Sequence, residues 1–340
     1  MEKLPTIKDV AKIANVSIST VSRVINNKSI ISENTKQKIL KVIKEINYEP
    51  NYIARSLSKN KTNAIGVILE DIINPFFSEI AKGIEETLQK NNYIMLLTDS
   101  EFDVEKELQI TKFLLRNRVD GVIIAPINNQ SASLKLLQKM NIPFFAVNCR
   151  AIIENFNWIS SDNLKGSYIA TQYLIKLGHK KIMYIRGADD QPSKDKYLGF
   201  KKAVLENKLN LSDQIILNEK AKNEKDGRKI IKKYLEKRNS GELPSAIFAT
   251  NDDVALGVLE VLSRENIKVP EDISLMGYDD IRISGYHSIS LTTVRQEKFK
   301  MGQIATQELL SKIEHNEKDI VKKLLIEPKL IIRKSCRELR

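Results

Sequence analysis

From residue 64 onward, short apolar runs alternate with longer segments in which apolar residues recur every three or four positions. The apolar runs predict strands at residues 65–69, 93–98, 121–125, 143–148, 181–185, 214–217, 246–249 and 273–276. The periodic segments predict amphipathic helices at about 76–91, 103–117, 131–140, 163–177, 195–208, 223–237 and 252–265. Strands that alternate with helices form βαβ units, so the pattern predicts an α/β body with two doubly wound parallel sheets.

The first fifty residues have a different pattern, which predicts three short helices. Thr6 and Asp9 have the spacing of a capping box before the first helix. Asn15 and Val16 form a turn, after which Ser17 can cap the second helix. Apolar residues at helical spacing continue through a third helix and can close a small core. Two helices joined by a tight turn predict a helix-turn-helix.

Charge is concentrated in the same region. The chain has 55 Lys and Arg against 43 Asp and Glu, a net charge of +12. Residues 1–62 contain 12 basic and five acidic side chains, so they hold more than half of that surplus. A surface that binds phosphate groups needs such a concentration of positive charge. A generally lysine-rich proteome would also raise the charge, so the helix-turn-helix pattern carries more weight than the charge.

The second helix presents Ile18, Ser19 and Arg23 on the side away from its apolar face. Ile18 can contact a thymine methyl group, and Ser19 can hydrogen-bond a donor or an acceptor on a base edge. Arg23 can bind guanine with two hydrogen bonds, which is worth about 1–3 kcal/mol of discrimination. A phosphate contact or a solvated charge is the alternative for Arg23. The other hydroxyl side chains of this helix either cap helices or touch phosphate, and they are Ser17, Thr20 and Ser22.

These segments resemble the DNA-binding head of the LacI/GalR-type family of bacterial repressors. The resemblance rests on Thr6-Ile7-Lys8-Asp9-Val10-Ala11, on Val16-Ser17-Ile18-Ser19-Thr20-Val21-Ser22-Arg23-Val24-Ile25-Asn26 and on Tyr48-Glu49-Pro50-Asn51-Tyr52-Ile53-Ala54-Arg55-Ser56-Leu57. It implies a hinge helix over residues 51–58 that folds on DNA, with Leu57 as a wedge in the minor groove. A plain linker, with Leu57 packed against the body, is the alternative. The predicted DNA-binding residues are Thr6, Ser17, Ile18, Ser19, Thr20, Ser22, Arg23, Asn26, Tyr48, Asn51, Ala54, Arg55 and Leu57.

The body is similar to the periplasmic sugar-binding fold, in which two lobes enclose a cleft and the chain crosses between them three times. The resemblance places crossings near residues 159–162, 289–293 and 321–325. It predicts a helix-turn-helix domain over residues 1–50, and a hinge helix and linker over 51–62. The N-terminal lobe of the effector-binding domain would comprise residues 63–160 and 292–322, and the C-terminal lobe residues 161–291 and 323–340.

Polar and aromatic residues follow several predicted strands, where open α/β sheets bind ligands. Rings can stack on a sugar or nucleoside, while acids and amides take its hydroxyl groups. The family pattern implies that Phe76 lines the cleft and that Asp279 accepts ligand hydroxyls; Lys196 replaces a usual arginine. Helix capping, core packing or a solvated charge is the alternative for each candidate. The predicted effector-binding residues are Asp71, Asn74, Phe76, Phe77, Asn148, Arg150, Asp162, Lys196, Asn251, Asp252 and Asp279.

Other function classes find little support. Cys149 and Cys336 are too few and too distant for a disulfide framework or a metal site. We expect a soluble cytoplasmic protein, because the chain has neither an export signal nor the ~20-residue apolar run of a membrane span. An enzyme is disfavoured, since the three histidines are far apart and no phosphate loop or nucleophile elbow is present. An exported sugar receptor is disfavoured by the basic head.

The sequence therefore predicts a homodimeric repressor, without cofactor or metal, that controls a carbohydrate-utilisation operon. Its partners would be pseudo-palindromic operator DNA and a sugar, sugar derivative or nucleoside. Some members of the family bind DNA better with a corepressor or phosphoprotein partner, so the direction of the control stays open. A tetramerising coiled coil is not expected, because the C-terminal residues show no heptad repeat.

Overall fold

The computed structural model describes residues 5–25, 31–48, 61–151, 155–237, 243–315 and 321–339. The chain divides into two compact units, Met1–Asn63 and Ala64–Arg340, which we call the head and the body. The predicted hinge helix, residues 51–58, lies wholly outside the described residues.

The head contains three helices, α1 (Ile7–Ala14), α2 (Ile18–Ile25) and α3 (Glu33–Glu45). The backbone N–H and the hydroxyl of Thr6 both donate to the Asp9 carboxylate, at 2.8 and 2.7 Å. The Ser17 hydroxyl accepts from the N–H of Thr20 at 3.1 Å and so caps α2. The predicted caps of both helices are therefore present. The small core of the head consists of Val10, Ala11, Ala14, Val21, Val24, Ile39, Val42 and Tyr48.

The first sheet of the body has six parallel strands, in the order β11-β5-β4-β3-β1-β2. The strands are β1 (Ala64–Leu69), β2 (Ile94–Asp99), β3 (Gly121–Ile124), β4 (Phe144–Val147), β5 (Trp158–Ser161) and β11 (Lys323–Ile326). Its helices are α4 (Pro75–Lys90), α5 (Val104–Arg116), α6 (Ala132–Lys139) and α11 (Lys298–His315). Helices α4 and α11 approach closely at Gly83, where a Cβ atom would lie 2.1 Å from the carbonyl oxygen of Phe299.

The second sheet has four parallel strands, in the order β7-β6-β8-β9. The strands are β6 (Ile182–Ile185), β7 (Ile215–Leu217), β8 (Ala246–Ala249) and β9 (Ser274–Met276). Its helices are α7 (Asn163–Lys176), α8 (Gln191–Glu206), α9 (Glu224–Lys237) and α10 (Asp252–Arg264). A separate antiparallel pair is formed by β10 (Thr293–Arg295) and β12 (Lys329–Ile331).

The predicted fold class is confirmed, and each of the eight predicted strands and seven predicted body helices is present within a few residues. The prediction missed α11, whose sequence has only a weak apolar stripe, and it placed no strands at β5, β10, β11 and β12. These four are short segments of three or four residues. The prediction ended the N-terminal lobe at residue 322 and assigned residues 323–340 to the C-terminal lobe. Strand β11, however, pairs with β5 in the first sheet.

Candidate functional site

The outer face of α2 is the candidate DNA-reading surface. Val21 and Val24 are buried in the head core, whereas Ile18 is 46% exposed and Ser19 and Arg23 are exposed as well. The amphipathic spacing of the helix therefore turns the three predicted base-contacting side chains outward. An α-helix with such side chains near its start has the geometry that enters a major groove.

The remaining predicted DNA contacts have other surroundings. The Ser17 hydroxyl lies 2.7 Å from that of Ser19 and 2.8 Å from that of Thr20. Thr6 is exposed and belongs to the capping box of α1. Tyr48 is buried in the head core, so a large part of its side chain serves packing. Five predicted residues lie outside the described part of the chain, and they are Asn26, Asn51, Ala54, Arg55 and Leu57.

A cavity of about 540 Å³, its open mouth included, lies at the carboxyl ends of strands from both sheets. Among the predicted effector-binding residues, seven line it: Asn74, Phe76, Phe77, Asn148, Lys196, Asn251 and Asp279. The cavity is the cleft that the strand-end argument places between two parallel sheets.

Aromatic side chains form one wall of the cleft. Phe76 and Phe77 begin α4, where their rings meet edge to face with centroids 5.1 Å apart. The Asn74 side chain caps this helix by accepting from the N–H of Phe76 at 2.8 Å. Phe102, which follows β2, adds a third ring to the lining. Such rings supply an apolar surface for a sugar or a planar base.

A lysine and an aspartate face each other deeper in the cleft. Lys196 Nζ donates to the Thr250 carbonyl at 2.9 Å and lies 3.9 Å from Asp279 Oδ1. It also lies 4.1 Å from the ring centroid of Tyr278. Asp279 accepts from Gln296 Nε2 at 2.6 Å. Burial raises the pKa of Asp279, and the positive charges of Lys196 and Lys298 oppose that rise. The pair can therefore offer one charged donor and one acceptor to a ligand.

Arg150 makes a contact between the two lobes. It follows β4 of the first sheet, and its Nη1 lies 2.8 Å from Asp195 Oδ2 on α8 of the second sheet. Gln191 Nε2 also donates to Asp195, at 2.9 Å. The predicted role of Arg150 was effector binding; the structure pairs it with Asp195, and it is not among the residues that line the cavity.

Asp252 lies beneath the cleft and is fully buried. Its carboxylate accepts from the N–H of Ile281 at 2.9 Å, from the hydroxyl of Ser284 at 2.8 Å and from that of Thr293 at 2.6 Å. Gly277 packs against it, since a Cβ atom there would lie 2.1 Å from Asp252 Oδ1. These contacts give Asp252 a structural role, which holds the loop that carries Asp279.

Two further predicted residues do not line the cavity. Asp162 caps α7 by accepting from the N–H of Lys165 at 3.0 Å. Asp71 accepts from the N–H of Ile73 at 2.9 Å within its own turn. Both therefore satisfy local backbone donors, which matches the capping alternative rather than ligand contact.

The sequence argument missed several lining residues, and they are Glu70, Phe102, Gly187, Ala188, Asp190, Pro192, Ser193, Ala221, Lys222, Thr250 and Gln296. Glu70, Phe102 and Lys222 each follow a strand within a few positions, so the strand-end rule could have found them. Asp190, the N-cap of α8, belongs to the same edge of the second sheet. Their proximity to one another, however, depends on how the lobes meet.

The Cys149 thiol donates to Asn129 Oδ1 at 3.1 Å, and the Cys336 thiol donates to the Leu275 carbonyl at 3.3 Å. Within the described ranges, no cluster of three or more His, Cys, Asp and Glu side chains has the arrangement of a metal site. The described helices likewise include none that is long and apolar enough to cross a membrane.

Comparisons with known proteins match both units. Residues 6–51 match the family model of bacterial regulatory proteins, lacI family, and residues 171–336 match that of a periplasmic binding protein-like domain. The HTH-type transcriptional repressor PurR of Haemophilus influenzae (strain PittEE) is 36% identical over 339 residues, which cover 99% of this chain and all of that protein. PurR of Pasteurella multocida (strain Pm70) is 35% identical over 98% of this chain and 99% of its own length.

Solved structures agree with this match. The lac repressor dimer bound to operator and the anti-inducer ONPF superposes with a TM-score of 0.86 at 26% identity, and the match covers 98% of this chain and 100% of that one. A LacI family transcriptional regulator from Enterococcus faecium with bound ribose gives a TM-score of 0.72 at 28% identity, over 82% of this chain and 100% of that one.

Proposed function

Since this chain belongs to the lacI family of bacterial regulatory proteins, we propose that it represses transcription under the control of a small molecule bound in the cleft. Its relatives are transcriptional repressors, so the predicted class, a DNA-binding regulator and not an enzyme, is confirmed. The proposal rests on one observation above all: a cavity lined from two parallel sheets lies in the same chain as an exposed recognition helix. A cytoplasmic location belongs to the proposal, because repression requires access to chromosomal DNA.

The head would read DNA through α2, with Arg23 in the major groove. We propose that two copies of the chain bind a pseudo-palindromic operator, since a two-fold protein matches a two-fold site. Exposed apolar side chains near an open sheet edge support self-association: Ile73 is 87% exposed, and Ile94 and Leu97 lie on the edge strand β2. A second copy would remove these side chains from water.

We propose a sugar or sugar derivative as the effector, and hence a carbohydrate-utilisation operon as the target. The cleft combines phenylalanine rings with Asn148, Asn251 and Asp279, and this combination suits a ligand with an apolar face and many hydroxyl groups. The similar Enterococcus faecium regulator was solved with bound ribose. A nucleoside is the second candidate, because Phe76 or Phe102 can stack on a base and because the relatives named PurR make purine compounds worth testing.

The direction of control is a separate matter. An effector that strengthens operator binding must itself bind more tightly to the operator complex, and an inducer must do the reverse. A phosphoprotein partner that enhances DNA binding is the alternative to control by a small molecule alone. Titrating the effector with and without operator shows whether it strengthens or weakens operator binding.

Operator recognition is tested by selection from randomised duplexes with the full-length protein, followed by fluorescence anisotropy on the selected duplex and a scrambled one. We expect a selected sequence with two-fold symmetry and a clear preference over the scrambled duplex. A protein that enriches no sequence, with or without metabolites, would contradict the proposed function.

Effector binding is tested by a thermal-shift screen of sugars, sugar phosphates and nucleosides, since a ligand of the folded state raises the melting temperature. Asp279→Ala should reduce the shift that the best ligand produces. The matched control is Asp213→Ala, an exposed aspartate in the turn Leu211–Asp213. Equal affinity of wild type and Asp279→Ala in calorimetry would remove Asp279 from the site.

A further inference from the structure

The lining of the cavity includes a carboxylate from each lobe. Glu70 follows β1 of the first sheet, and Asp190 begins α8 beside the second sheet; both line the cavity. Glu70 is only 8% exposed. Among the described residues, none donates a hydrogen bond to its carboxylate. A buried carboxylate without a donor is costly unless something else supplies one.

The charges around Glu70 do not neutralise it. Besides burial, the charges of Asp190, Glu107 and Asp71 raise the pKa of Glu70, and the charge of Lys222 opposes that rise. Glu107 is itself fully buried, and one of its carboxylate oxygens has no hydrogen-bond partner among the described residues. Burial raises the pKa of Glu70, and the negative charges of Asp190 and Glu107 raise it further.

The basic groups of the cleft already have partners. Lys222 Nζ lies 4.3 Å from the ring centroid of Phe102, and Lys196 is held by the Thr250 carbonyl and by Asp279. Asp190 uses one oxygen to accept from the N–H of Ser193 at 2.6 Å, as the cap of α8. Glu70 and Asp190 therefore make their part of the lining rich in acceptors and negatively charged.

Building on the proposed function, we infer that the effector places a hydrogen-bond-donating group without negative charge, a hydroxyl or an amine, between Glu70 and Asp190. A donor there satisfies both carboxylates, whereas a phosphate would meet two like charges. The cleft thus selects unphosphorylated ligands over their phosphate esters. Because the two acids belong to different lobes, such a ligand also favours the closed cleft.

The first test needs no ligand. In Glu70→Gln the side chain keeps its shape but no longer has to ionise within the cleft. The raised pKa means that wild type loses stability as the pH rises above the ordinary value of 4.5 through the pKa of the folded state. We expect ligand-free Glu70→Gln to melt above wild type at about pH 8 and the difference to shrink towards about pH 5. The control Glu265→Gln, at an exposed helix end, should follow wild type.

The second test uses matched probes: ribose and ribose 5-phosphate, glucose, glucosamine and glucose 6-phosphate, adenosine and its 5′-monophosphate. The unphosphorylated or amino member that binds should raise the melting temperature, and its phosphate ester should not. Glu70→Gln and Asp190→Asn should each weaken its binding about tenfold or more, as expected for loss of a charge-assisted bond. Asparagine still caps a helix, so Asp190→Asn should fold.

The outcomes separate this inference from the proposed function. Preferential binding of a phosphate ester, or unchanged affinity in both variants, overturns the inference while leaving an effector-controlled repressor intact. A Glu70→Gln protein that melts at or below wild type at about pH 8 also overturns it, whether or not any probe binds. If no probe alters either the melting temperature or operator affinity, the proposed function fails for these ligand classes.

Discussion

The head and the cleft of the body recognise their partners with opposite surfaces. On the head, Ile18, Ser19 and Arg23 stand exposed on a helix whose other face fills a small apolar core. In the cleft, Glu70 and Asp279 are buried, and burial raises the pKa of both. DNA is a large external polyanion that solvated side chains can reach, whereas a small molecule must be surrounded.

This difference predicts how the two regions respond to substitution. The exposed Ile18 and Arg23 side chains can be truncated with little effect on stability, because no buried group loses a partner. Substitutions in and beneath the cleft should change both stability and ligand binding. The folded state buries carboxylates there, and each must be satisfied either by a fixed hydrogen-bond network or by the ligand.

The largest effect is expected beneath the cleft. Asp252→Ala removes the acceptor of three buried donors, from Ile281, Ser284 and Thr293. We expect the free energy of unfolding of the body to fall by about 3 kcal/mol, because buried donors without an acceptor are costly. Urea unfolding followed by circular dichroism measures it. Asp252→Asn should lose less, since its amide oxygen can still accept two of these bonds.

The same residue gives a pH test. Burial, followed by the charge of Asp279, raises the pKa of Asp252 to about 7. The stability that its protonation contributes is therefore lost as the pH rises through about 7, where the folded state must ionise it. Wild type should lose more stability across this range than Asp252→Asn does. Parallel pH profiles for the two proteins would contradict the raised pKa.

On the head, Arg23→Ala should weaken binding to the selected operator by about 1–3 kcal/mol and flatten the preference among operator variants. The melting temperature should stay close to that of wild type, because Arg23 is exposed. Lys41→Ala, which removes an exposed charge on α3, is the control for a purely electrostatic loss. Equal losses for both variants on every duplex would assign Arg23 to phosphate rather than to bases.

The contact between the lobes should have an intermediate effect. Arg150→Met leaves Asp195, which is 2% exposed, without its arginine. We expect a loss of about 1–2 kcal/mol in stability, less than the ~3–5 kcal/mol of a fully buried pair, because Arg150 remains 31% exposed. Small-angle scattering of the ligand-free protein should show a more open cleft.

Arg186→Met is the matched control for that variant, because Arg186 contacts Asn218 and Tyr197 within the second sheet's own lobe. If Arg150→Met and Arg186→Met gave the same scattering, the pair of Arg150 and Asp195 would not hold the lobes together.

The smallest effect concerns the start of α2. Ser17→Ala removes the hydroxyl that caps this helix and should cost about 1 kcal/mol of head stability. Ser17→Asn keeps a capping side chain and should recover most of the loss. Thermal unfolding of the two variants compares them, and identical melting temperatures would mean that the cap contributes little.

Local patterns predicted much of this protein. The spacing of Thr6 and Asp9 gave the first cap, and the apolar runs gave eight strands of the body. The strand-end rule together with the family resemblance placed Phe76, Lys196 and Asp279 at the cleft. It failed at Asp162 and Asp252, because an acid at a helix start serves equally well as a cap, and the choice depends on which donors surround it.

What the sequence by itself determined is the order of elements, the helix-turn-helix and the class of regulator, because these follow from periodicity, capping and a specific motif. The tertiary structure decided which polar groups face each other. Glu70 and Asp190 are 120 positions apart in the chain, and Arg150 meets Asp195 only where the lobes close. The interaction energies of these pairs depend on distances and burial between two sheets, and no local sequence pattern encodes those distances.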